Sequence, residues 1–150
     1  GYVVIFRESL LAHAKELGMT VIESEHYEAD SFDAQHFVST VFAHPDRPNA
    51  IINQANASVL SQVLMALHDA GMSIPQDVSV LSCGTYFEGE PTRFPITEMP
   101  VMPEELCAEA MNLLVSAIEE HTDIKGSVEL IEPALKRRGS VAEAGSGGTI

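Results

Sequence analysis

Two stretches of this chain are short of charge and rich in hydrogen-bonding side chains: Asn53-Gln54-Ala55-Asn56-Ala57-Ser58 and Ser82-Cys83-Gly84-Thr85-Tyr86-Phe87. Neutral amides and hydroxyls suit a polar, uncharged ligand such as a sugar or a nucleoside. The same residue types also cap helices and make turns. Spacing alone leaves both readings open.

Other chemistry is weakly signalled. None of the six histidines (His13, His26, His36, His44, His68, His121) pairs with another one turn away, so no metal site is expected, since metal ligands must converge on one point. Cys83 precedes Gly84 and could sit in an exposed turn as a nucleophile, but no orienting base can be named for it. The plainer reading is a small packed side chain at a strand end. There is no GxGxxG or Walker loop, and Gly145-Ser146-Gly147-Gly148 has no helix after it. Glu23, Glu25, Glu28 and Asp30 read as a solvated acidic loop rather than an acid–base pair. No catalytic residue and no cofactor is expected.

Elements that would place the two polar stretches are legible around them. Residues 49–82 read as strand, tight turn, amphipathic helix, Gly71 stop, Pro75 loop and strand, a βαβ crossover. Asn56 or Ser58 would cap the helix, and Val59, Leu60, Val63, Leu64 and Leu67 would form its buried face. Upstream, residues 2–17 are expected as a helix and 20–24 as a short strand. A second helix should span 31–44, capped by Asp30 or Ser31, with Phe37, Val38, Val41 and Phe42 buried. Downstream, 95–99 should be extended. Pro103-Glu104-Glu105 opens a helix to 120, and 128–131 and 134–137 read as short strands. Such alternation predicts an α/β fold, an open parallel sheet with flanking helices and right-handed crossovers, so that turns after strands gather at one edge.

Composition sets bounds. The chain has 150 residues, 45% hydrophobic and 20% charged, enough for one domain with a real core. A net charge of −14 repels phosphate backbones, and the one basic run, Lys136-Arg137-Arg138, reads as a solvated strand end. Direct nucleic-acid binding is not expected, nor is a membrane partner, because no apolar run approaches the ~20 residues of a span. Cys83 and Cys107 each sit in an apolar pattern and read as reduced, buried thiols of a cytoplasmic protein. The start at Gly-Tyr-Val-Val suggests a piece of something longer.

The motif order resembles the effector-binding core of the lactose/galactose-repressor family of bacterial transcription regulators. The cues are Pro48-Asn49-Ala50-Ile51-Ile52 running into Ala55-Asn56, and Ala66-Leu67-His68-Asp69-Ala70-Gly71-Met72 followed by Ile74-Pro75-Gln76-Asp77-Val78-Ser79-Val80. To these add Ile96-Thr97-Glu98-Met99-Pro100, Pro103-Glu104-Glu105-Leu106 and the closing Arg137-Arg138-Gly139-Ser140. The resemblance implies the C-terminal lobe of a periplasmic-binding-protein-like core. Residues 1–141 would be a partial effector-binding and dimerisation unit, 99–126 would cross toward a missing N-terminal lobe, and 142–150 would be a flexible tail. It implies a homodimer that senses a sugar or nucleoside and meets operator DNA only through a missing helix-turn-helix. Family positions carry over to Asn56, to Ser31 or Phe32, to Gly84 or Thr85, and to Arg7 with a shift of register. The chain departs from the family where Ala57 replaces the acid of the Ala-Asn-Asp turn and where no acid stands at residues 84–85.

Two other classes compete: a fragment of a periplasmic sugar-binding protein, and a small α/β enzyme using Cys83. Finally, the stripe Leu106, Ala110, Leu113, Ala117 needs a cover. It is expected either to fold back onto the lobe or to be buried by a partner chain.

Overall fold

The structure, a computed structural model, describes residues 2–24, 31–54, 56–83, 94–100, 103–126, 128–129 and 131–143. Its centre is the expected crossover. Strand β1 (Ala50–Asn53) leads into helix α3 (Ala57–Asp69) and on to β2 (Ser79–Cys83), after helices α1 (Tyr2–Glu16) and α2 (Ala34–Val41). Strand β3 (Thr97–Met99) and helix α4 (Pro103–Glu119) follow. The sheet order is β1-β2-β3 and both pairings are parallel.

Helix α3 forms where propensity, capping and burial agree. Asn56 is its N-cap, with the side chain accepting from the Val59 amide at 2.9 Å, and Gly71 follows its end at φ +75°. Every residue of the expected face (Val59, Leu60, Val63, Leu64, Leu67) is buried. Leu60 and Leu64 pack on Val80 and Ile96 of the sheet side, while Val59, Val63 and Leu67 meet Phe32, Val38 and Phe42. Burying each such side chain contributes on the order of 1.5–3 kcal/mol, so α3 is the keel of this fold.

Several expected elements differ. Helix α2 is shorter than 31–44, and its cap is Asp33, whose carboxylate accepts from the His36 amide, rather than Asp30 or Ser31. Its stripe Phe37, Val38, Val41 and Phe42 does join the core. Residues 20–24 form no strand. Val21 and Ile22 lie 40% and 57% exposed, so β-forming residues are present without a ladder to enter. The strands expected at 128–131 and 134–137 are likewise absent among the described residues, apart from a single antiparallel bridge between Lys136 and Glu98. Val128 is 78% exposed and has no sheet face to cover it. Helix α4 forms as expected, but none of its described side chains is buried. It does not fold back onto the lobe.

The closing segment stitches the sheet together. Lys136 exchanges two backbone hydrogen bonds with Glu98, and the Val80 amide donates to the Ser140 carbonyl at 2.8 Å. The Ala142 amide donates to Ser79 Oγ at 3.1 Å, so the chain is tied down one residue into the expected tail.

Candidate ligand-binding rim

Parallel pairing puts the ends of β1 and β2 side by side. Asn53 is registered with Ser82, and Ser82 with Glu98. Registered neighbours point to one face of the sheet. Two residues earlier on that face stand Ile51, Val80 and Ile96, packed under α3. The face therefore turns from apolar to polar one step below its carboxyl edge. All three polar residues of the row are buried: Asn53, Ser82 and Glu98 are 8%, 0% and 2% exposed. Asn53 Nδ2 donates to Ser82 Oγ at 3.5 Å.

A carboxylate with 2% exposure needs compensation. Arg138 supplies it. Its Nη2 pairs with Glu98 Oε1, Nη1 donates to the Ile96 carbonyl, and its backbone amide donates to Thr97 Oγ1. Glu98 Oε2 is buried without a partner, and so is Gln54 Nε2 at the end of β1. Above the row sits the N-terminus of α3, where the helix dipole places roughly half a positive charge.

Most residues singled out from the sequence have a described place. Asn56 stands at the rim, exposed, with its Oδ1 committed to the cap. Thr85 and Gly84 lie outside the described residues. Phe32 is 8% exposed and packed in the core with Val38, Phe42 and Val63. Ser31 and Phe32 border a shallow hollow of about 450 Å³ shared with Gln62 and Asp69. The hydrogen bond from Gln35 Nε2 to Asp69 Oδ2, 3.0 Å, sets the first turn of α2 beside the last turn of α3. Asn56 caps the opposite end of that helix, roughly 20 Å away at 1.5 Å rise per residue. Arg7 pairs with Glu23 at 2.6 Å on the surface. The described chain thus gathers Asn53, Ser82, Glu98 and Asn56 at the carboxyl end of the sheet, with Ser31 and Phe32 just before α2 and Arg7 in an ion pair from α1.

Glu98 and Arg138 were not singled out as site residues from the sequence, and Gln54 figured only as part of its polar run. A charged residue inside a short apolar strand, as in Ile96-Thr97-Glu98-Met99, was the available signal for Glu98. Cys83, next to the row, is 3% exposed, and burial raises its thiol pKa above the ordinary value. A nucleophile requires the reverse. Among the described residues no cluster of His, Cys, Asp and Glu could hold a metal ion.

The model of the periplasmic binding protein-like domain family matches residues 1–141. The chain belongs to that family. Solved structures with the same fold include a LacI family transcriptional regulator from Bifidobacterium animalis subsp. lactis, 23% identical, with a TM-score of 0.74 over 96% of this chain and 52% of that one. A LacI family regulator from Arthrobacter sp. FB24, in complex with lactose, is 23% identical with a TM-score of 0.68, covering 90% of this chain and 51% of the other. A PurR family regulator from Vibrio parahaemolyticus is 18% identical with a TM-score of 0.59, over 80% and 42%. At such identity the likeness is one of fold: an open parallel sheet with flanking helices. No curated protein matches the chain. This periplasmic-binding-protein-like domain spans about half the length of the solved chains it resembles. No described helix is long and apolar enough to cross a membrane.

Proposed function

We propose that this chain is the effector-sensing and dimerising part of a cytoplasmic bacterial transcriptional regulator of the lactose/galactose-repressor type. It binds a small neutral molecule, a sugar or a nucleoside, and it is not an enzyme. The buried polar row Asn53–Ser82–Glu98 under the capped end of α3 carries this reading. Polar groups that are costly to bury stand at the edge where open α/β sheets bind ligands. A raised thiol pKa at Cys83 argues against the enzymatic alternative. The regulator neighbours support the sensing role, and a net charge of −14 favours DNA contact through a separate basic head.

The mechanism is population shift. The effector binds one arrangement of two lobes better than the other and moves the equilibrium by no more than that difference in affinity. The crossings about which the lobes move are the extended piece at residues 95–100 and the stretch at 128–133, and the Glu98–Lys136 bridge ties the first of them to the closing segment.

The test is a calorimetric screen of the full-length protein against lactose, glucose, ribose, adenosine and uridine, with operator binding read in parallel. One compound that binds and changes operator affinity supports the reading. Binding without any effect on DNA points to a transport protein, and turnover of the compound points to an enzyme.

A further inference from the structure

Gln54 is the residue of the rim whose present state makes least sense for folding alone. It is the first residue beyond β1, follows the buried Asn53, and is itself half-buried. Its Nε2 is fully shielded from solvent with no hydrogen-bond partner. A shielded amide group of this kind costs stability, and a functional partner is one of the reasons such a group is kept.

Asn56, the other amide of the turn, is in the opposite condition. Its Oδ1 holds the Val59 amide at 2.9 Å and fixes the start of α3. One amide of the turn therefore serves the fold, and the other is left over. The neighbouring row of Asn53, Ser82 and Glu98 is already polar and buried, and Gln54 adds beside it a donor without a partner.

We propose that Gln54 is a specificity-determining residue of the rim: its amide is left unpaired in the free protein and hydrogen-bonds a hydroxyl or carbonyl oxygen of the bound effector. This rests on the sensing function proposed above. The chemistry selected is a neutral molecule with an exposed oxygen acceptor, since the amide donor carries no charge to offset an ion.

The consequence is unusual for a binding residue. Replacing Gln54 removes an unpaired group from the free protein but a paired one from the complex. Gln54→Met keeps the length of the side chain and removes both polar atoms. In the full-length protein its affinity for whichever of lactose, glucose, ribose, adenosine and uridine binds the wild type is expected to fall tenfold or more. The melting temperature without that compound should hold or rise. Gln54→Glu, which replaces the donor by an acceptor, should lose binding as well. Affinity within threefold of wild type in both variants overturns the proposal while leaving the sensing role intact. A fall in binding with a lower melting temperature in both variants also overturns it, because that is the signature of a packing residue. A wild type that binds none of the five compounds removes the sensing role, and this proposal with it.

Discussion

The Ser140 hydroxyl donates to the Val80 carbonyl at 2.6 Å across sixty residues of chain, and it accepts from the Thr97 amide at 2.7 Å. Thr97 is registered with Leu81, so a parallel ladder would join the Thr97 amide directly to the Val80 carbonyl. Ser140 stands in that rung. The sheet is closed at this level by a side chain from the far end of the domain.

Ser140→Ala leaves a buried amide and a buried carbonyl facing each other across the gap. Each unpaired group costs about 1–3 kcal/mol, so the variant is expected to lose at least ~2 kcal/mol. For a domain of this size that lowers the melting temperature by roughly 4–8 °C. Calorimetry of wild type and variant decides it, and an unchanged midpoint would mean the two strands simply close up.

Arg138 and Glu98 form a partly buried ion pair, with side-chain exposures of 37% and 2%. Removing the arginine leaves a buried carboxylate uncompensated, a change that costs about 3–5 kcal/mol in fully buried pairs and less here because Arg138 reaches water. Arg138→Met is thus expected to destabilise strongly, and Glu98→Leu added to it to restore much of the loss. Urea unfolding of the two variants measures this. A double variant no more stable than the single one would show that the pair does not act as a unit.

Asn56 carries a duty to the fold that must be separated from any duty to a ligand. Asn56→Ala removes the cap and is expected to cost about 0.5–2 kcal/mol. Asn56→Asp keeps an oxygen for the Val59 amide and favours the positive end of the helix, so stability should be retained. Because it removes the amide donors, a loss of effector affinity in Asn56→Asp at unchanged melting temperature assigns Asn56 a ligand contact. Unchanged affinity confines it to the cap.

The two thiols should behave oppositely. Cys83 is buried as expected, with its pKa raised by desolvation, whereas Cys107 is exposed, because no described side chain of α4 is buried. Iodoacetamide at neutral pH is expected to modify Cys107 first and Cys83 only on unfolding. The raised pKa means the folded state disfavours the thiolate. Its contribution to stability is complete below the ordinary value of 9.0 and is lost as pH climbs from there through the folded value. Melting curves above pH 9 should therefore fall less steeply in Cys83→Ala than in wild type.

Helix α4 exposes Leu114 at 45% and Ile118 at 63%. Truly solvated positions tolerate substitution within about 0.5 kcal/mol. Leu114→Asp with Ile118→Asp is expected to exceed that in the full-length protein, by ~1.5 kcal/mol or more for each covered side chain. Denaturant titration provides the measurement. A loss inside the smaller limit would show the stripe to be bare in every state.

Where local rules and burial agree, the chain could be read directly. The unit from β1 through α3 to β2 was legible because Asn56, the stripe from Val59 to Leu67 and Gly71 all speak for one helix. The misplaced elements share a different cause. Val21 and Ile22, or Val128, carry β-forming side chains, but a strand exists only where a neighbour offers a ladder, and no local pattern encodes the neighbour. The site was half legible for the same reason. Asn53, Gln54, Asn56 and Ser82 lie in the two polar runs, whereas Glu98 and Arg138 meet from forty residues apart. Phe32 shows the converse, an aromatic whose family position suggests ligand contact and whose own surroundings are core.

β1 is an outer strand of the three-stranded sheet, and its Ile52 is 47% exposed. The backbone edge of an outer strand is a template for a second polypeptide. Mutual repulsion from a net charge of −14 holds such encounters off in dilute buffer. In ~1 M salt the field dies within about 3 Å, so high ionic strength is the condition under which this domain loses its guard against aggregation.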